Sequence, residues 1–229
     1  MIKQITVDSS DRFIGLVIGQ SGIGKTSLLR TIPPDEPVFV VSAESGLLCV
    51  RDLVQTGRVQ GVEVENFADL AQAYEYLNSP QAAGYKWLFI DSLTEISDRC
   101  VEAMKAKYPN KSDSYPMWGE YNDKMTALIK AYRDLRQYSV VFTCLDSTEK
   151  DENNKRYVGP LVAGSSLKEK IASWFDEVFY MVSLPDQEGK EQRYLITQPW
   201  EKYPGKDRSG KLALAEQPDL AAIKAKILG

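Results

Sequence analysis

Short apolar runs punctuate the chain at residues 13–18, at Val38-Phe39-Val40-Val41, at Trp87-Leu88-Phe89-Ile90 and at Val140-Val141-Phe142-Thr143-Cys144. Each is rich in β-branched or aromatic residues and too short for a helix, so each is expected to be a strand buried on both faces of a sheet. Between them the period changes. Phe67, Leu70, Ala71, Tyr74 and Leu77 are spaced as one helix face, as are Leu93, Ile96, Cys100, Val101 and Met104. The clearest amphipathic stripe is Trp118, Tyr121, Met125, Leu128, Tyr132 and Leu135, with Lys124, Lys130, Arg133 and Arg136 outside it.

Punctuation agrees with this reading. Pro33-Pro34-Asp35-Glu36-Pro37 stops the first helix and Asn78-Ser79-Pro80 the next. Residues 2–7 alternate and precede a turn cluster, which predicts an opening hairpin, and Val62-Glu63-Val64 is a candidate strand. Residues 110–116 are expected to form an exposed loop, and the charged stretch 146–156 a protruding hairpin or mobile loop. A helix at about 166–174, strands at 177–182 and 193–197 around a turn at 185–189, and a last helix at 219–228 complete the pattern. Strands alternating with helices predict an α/β fold: a mostly parallel twisted sheet flanked by helices, with antiparallel additions.

Composition narrows the chemistry. The 229 residues suit one large domain, with a core over about 13–211 and a helical tail at 212–229. No apolar run is long enough for a membrane span, and the first residues lack signal-peptide architecture, so a cytoplasmic location is expected. Cys49, Cys100 and Cys144 are expected to be buried, reduced thiols. The absence of histidine removes imidazole acid–base chemistry and histidine metal sites, leaving carboxylates, lysine and Mg²⁺. A net charge of −4 makes no global electrostatic case for nucleic acid, so any such contact needs a local patch.

The specific signal is Gly19-Gln20-Ser21-Gly22-Ile23-Gly24-Lys25-Thr26, which fits G-x-x-x-x-G-K-[ST] between a strand and the helix that Ser27 enters. Glycines let backbone N–H groups face a phosphate, a helix N-terminus adds partial positive charge, Lys25 reaches the outer phosphates, and Thr26 can ligate Mg²⁺. Asp91 ends a strand and is the candidate second holder of the metal. Many hydrolytic phosphate-loop proteins place Glu directly after that aspartate. Here the position is Ser92, so the base is sought at Glu44, on the tip of the strand after the phosphate-loop helix, with Glu95 the weaker competitor.

The phosphate loop, Phe39-Val40-Val41-Ser42-Ala43-Glu44, Leu88-Phe89-Ile90-Asp91-Ser92 and Val140-Val141-Phe142-Thr143 together resemble the RecA core ATPases. More narrowly, the chain resembles compact phage-encoded RecA-like proteins that act as single-strand annealing recombinases, and Lys206-Asp207-Arg208-Ser209-Gly210 resembles a K-x-R element of that group. The resemblance implies a RecA-like P-loop NTPase core that takes ATP and Mg²⁺, with Glu44 readying water and Lys206 and Arg208 reaching the γ-phosphate held by a neighbouring subunit. It also implies a homo-oligomer acting on single-stranded DNA in annealing or homologous recombination, with a single-strand binding protein as a candidate partner. One departure is the polar sensor, commonly Gln, after the strand that here ends Phe142-Thr143-Cys144-Leu145; Thr143 or Asp146 would have to substitute.

DNA contacts would come from residues 108–118 and 146–166. Lys105, Lys107, Lys111, Lys150, Lys155 and Arg156 supply cations, and Tyr108, Tyr115, Trp118 and Tyr157 offer stacking surfaces, diluted by Asp113, Glu149, Asp151 and Glu152. Two other readings compete: a small-molecule P-loop kinase, for which no arginine-rich lid is evident, and an ATP-responsive assembly module without DNA activity.

Overall fold

The first apolar run becomes β1 (Ile14–Gly19), buried along its whole length in the computed structural model, which describes residues 11–44, 46–150, 154, 156–186 and 188–229. The opening hairpin expected at residues 2–7 lies outside the described residues. The strands that follow are β2 (Val38–Ser42), β3 (Val59–Glu63), β4 (Trp87–Asp91) and β5 (Ser139–Cys144). A hairpin of β6 (Asp146–Lys150) and β7 (Arg156–Pro160) stands apart from the main sheet. Next come β8 (Glu177–Pro185), β9 (Glu191–Ile196), β10 (Lys206–Asp207) and β11 (Ala215–Glu216).

Among the described residues the main sheet has the order β11-β9-β8-β1-β5-β4-β2-β3, with β10 also on β8. The pairs from β8 to β3 are parallel, and β9, β10 and β11 add antiparallel ladders. This is the mostly parallel sheet with antiparallel additions that the sequence predicts.

Alternation within each strand divides the core in two. Leu16, Ile18, Phe39, Val41, Leu88, Ile90 and Phe142 point to the face covered by α2 (Asp69–Leu77), α3 (Leu93–Lys107), α4 (Ser114–Arg133) and α5 (Ser165–Ile171). Val17, Val38, Val40, Phe89 and Val141 point to the other face. That face is covered by a 3₁₀ helix (Thr26–Thr31), α1 (Arg51–Gln55) and α6 (Leu220–Leu228). Because the central strands are parallel and covered on both sides, their near-continuous apolar runs were readable directly. No helix among the described residues is long and apolar enough to cross a membrane.

Several local expectations change. The segment after the phosphate loop is six residues of 3₁₀ helix, which Ile32 ends in extended backbone before Pro33. Residues 110–116 are not an open loop: Lys111–Asp113 form a 3₁₀ turn and α4 already starts at Ser114, with Pro116 tolerated in its first turn. Cys100 and Cys144 are buried thiols, but Cys49 is exposed, on a short surface helix (Leu47–Val50) whose only buried residue is Val50.

Candidate functional site

All four strands that carry the candidate chemistry end on one edge of the sheet, because β1, β2, β4 and β5 are parallel and in register. Gly19 closes β1 beside Met181 of β8, so tightly that a methyl carbon there would stand 3.1 Å from the Met181 carbonyl oxygen and 3.2 Å from Ile23 Cγ2. In the loop beyond, Gly22 (φ +72°) and Gly24 (φ +109°) adopt left-handed backbone that other residues resist. Gln20 and Ser21 are exposed on its rim, while Ile23 and Ser27 are half-buried.

Lys25 is 7% exposed. Its Nζ folds under the loop and donates to the carbonyl oxygens of Gly19 (2.8 Å) and Gln20 (2.9 Å). Burial lowers the ammonium pKa, and the nearby Glu44 and Asp91 carboxylates oppose that shift. The Thr26 hydroxyl donates to Asp91 Oδ2 at 2.8 Å, and the Thr143 hydroxyl donates to Asp91 Oδ1. Burial raises the Asp91 pKa, while these two hydroxyls favour its charged form. A cation beside this carboxylate would relieve its desolvation.

Glu44 faces the same edge. Ala43 N–H donates to the Asp91 carbonyl at 2.7 Å, tying the tips of β2 and β4 together, and the Ser92 hydroxyl donates to the Glu44 carboxylate. Ser92 also caps α3, accepting from the Glu95 N–H. Glu95 lies a helical turn further on, where burial and then the Glu44 charge raise its pKa. Lys25, Thr26, Asp91 and Glu44 are therefore brought together around one loop. Thr143 takes the polar position beside Asp91, whereas Asp146 is engaged elsewhere, accepting from Tyr180 Oη at 2.9 Å. The Ser92 contact to Glu44 was not foreseen. Its signal was a serine in the position after the strand-end aspartate.

Lys206 and Arg208 are not part of this cluster. Lys206 pairs with Val178 and Asp207 with Glu177, and Glu177 is level with Gly15, so β10 lies toward the opposite end of β1 from Gly19. There Lys206 Nζ donates to Phe175 O at 2.5 Å, and Arg208 Nη1 pairs with Asp176.

The candidate DNA stretches converge only in part. Trp118 and Tyr157 line one cleft with Glu149, Gly164 and Lys168, and Lys168 pairs with Glu149 at 2.5 Å. Lys107 and Tyr108 both bond to Glu120, while Tyr115 is 90% exposed. Lys155, Asp151, Glu152 and the side chain of Lys111 lie outside the described residues.

The donor set fits a nucleoside triphosphate and Mg²⁺: a glycine-permitted loop over a buried lysine, and a hydroxyl and a carboxylate as hard oxygen ligands. In comparisons with known proteins, a family model described as an AAA domain matches residues 12–209. No curated protein matches the chain in sequence. A crystal structure of the RadB recombinase superimposes with a TM-score of 0.46 at 14% identity, over 84% of this chain and 90% of that one.

Proposed function

The chain belongs to the AAA domain family and is a P-loop ATPase, and from that premise we propose a Mg²⁺-dependent, RecA-like enzyme that binds single-stranded DNA and promotes annealing or homologous recombination. The observation that carries the nucleotide reading is the Thr26–Asp91 hydrogen bond beside a buried Lys25, with Glu44 tied to the same edge by Ser92. In this reading the loop 19–26 and Lys25 hold the phosphates, with Ser27 following them. Thr26 and Asp91 hold Mg²⁺, which when bound supplies positive charge to the phosphate oxygens.

Glu44 orients the attacking water and accepts its proton at the carboxylate, and Ser92 fixes which carboxylate oxygen is free to do so. Thr143 keeps Asp91 aimed at Thr26. Lys206 and Arg208 act on the nucleotide of an adjacent copy, since their edge of the sheet is the one remote from their own loop. The DNA path is assigned to the start of α4, where Tyr115 is exposed, and to the β6–β7 hairpin, where Tyr157 shares one cleft with Trp118 and another with Arg156.

The test is steady-state ATP turnover with and without single-stranded DNA over a salt series. Turnover is expected to rise with DNA, and the stimulation to fade as salt increases. Turnover indifferent to DNA, or transfer of the phosphoryl group to a nucleoside or sugar, would overturn the recombinase reading.

A further inference from the structure

Arg193 stands on β9 opposite Ser183 of β8, and β8 runs beside β1 with Met181 level with Gly19. This register lets the arginine side chain reach across to the phosphate loop. Its guanidinium lies against Gly24: a methyl carbon on that glycine would stand 2.7 Å from Nη1, 3.3 Å from Cζ and 3.7 Å from Nε. Gly24 is thus constrained twice, by its φ of +109° and by the arginine resting on it.

Two other arginines, Arg30 and Arg99, have evident structural partners. Arg30 is paired with Asp52, and Arg99 donates to the carbonyl oxygens of Ala43 and Glu65. Among the described residues, none accepts a hydrogen bond from the exposed Arg193. A guanidinium placed beside a loop that already holds a buried lysine gains no attraction from that lysine. Its natural counterpart is an anion, and its paired N–H donors match phosphate oxygens. The need for such a group is greater here because the segment following the loop is only six residues of 3₁₀ helix, which aligns few peptide dipoles.

We infer that Arg193 is a nucleotide-binding residue acting within its own subunit, donating to the phosphate chain from β9 across Gly24. The inference rests on the phosphate-loop reading and adds to it a residue far away in sequence. It also gives β9 a part in the site: a strand outside the parallel core would complete the anion cradle.

Calorimetric titration of wild type, Arg193→Ala and Arg193→Lys with AMP, ADP and ATP, beside the melting temperature of each nucleotide-free protein, tests it. Removing charge-assisted hydrogen bonds should weaken ADP and ATP binding by about ten- to a hundredfold in Arg193→Ala. AMP binding should change much less, the lysine variant should recover part of the loss, and melting without nucleotide should stay at the wild-type value. Wild-type ADP and ATP affinities in Arg193→Ala would overturn the inference and leave the phosphate loop standing. An equal loss for all three nucleotides accompanied by a lowered melting temperature would mark a structural role and overturn it also. If wild type itself binds no nucleotide, the phosphate-loop reading fails, and Arg193 with it.

Discussion

Glu177 begins β8 with a carboxylate that is 2% exposed and whose Oε2 has no hydrogen-bond partner among the described residues. Burial, helped by the neighbouring Asp207 charge, pushes its pKa up to about 8. A folded pKa above the unfolded value means that the stability this group contributes is fully present below the ordinary glutamate range and is lost as pH rises through about 8. Glu177→Gln should therefore melt close to wild type in acid and increasingly above it as pH rises to about 8, in thermal unfolding followed by circular dichroism. A difference independent of pH would show that the carboxylate is not desolvated. Nothing in the strand pattern flagged this residue, because an acidic residue at a strand start is ordinarily solvated. Lys25, Thr26 and Asp91 were legible because their chemistry is tied to fixed spacing in a strand-loop context. Cys49 was misread because an apolar neighbourhood in sequence does not fix which side of a short surface helix meets water.

At the scale of elements, the buried parallel strands were the readable part. β2, β4 and β5 carry their apolar character on both faces, so their existence follows from composition alone. The two-residue strands β10 and β11 have no periodicity to read, and they form because β8 and β9 offer free edges. The start of α4 hid behind Pro116 and polar neighbours, which resemble a loop until tertiary packing of Met117 and Tyr121 is known. The helix α3 links stability to the site through its cap, since Ser92 both accepts from Glu95 N–H and donates to Glu44. Ser92→Ala should cost about 1 kcal/mol in denaturant unfolding through the lost cap. It should also lower kcat for ATP by about tenfold with KM unchanged, as the aim of Glu44 loosens. An unchanged kcat would separate Ser92 from the chemistry.

For the whole molecule, the sheet presents the candidate groups on two opposite edges. One carries the phosphate loop, Asp91 and Glu44, and the other carries Lys206 and Arg208, held by Phe175 O and by Asp176. Copies associating with one edge against the other would unite them, and hydrolysis would then depend on assembly. Arg208→Ala alone should lose most turnover, and mixing it with Lys25→Ala subunits should restore part, since each protein supplies what the other lacks. No recovery at any mixing ratio would remove Arg208 from the neighbouring site. The resemblance to a K-x-R element singled out Lys206 and Arg208, but a two-residue strand with no periodicity could not show that they lie on the edge remote from their own phosphate loop.

Retention of ATP by a Glu44→Gln protein tests the site most directly. With Lys25, Thr26 and Asp91 intact, the variant should bind ATP and Mg²⁺ with wild-type affinity while single-turnover hydrolysis falls by about a hundred- to ten-thousandfold. Hydrolysis at the wild-type rate, or loss of ATP binding, would contradict the assignment of Glu44 as the residue that readies water beside the phosphate loop.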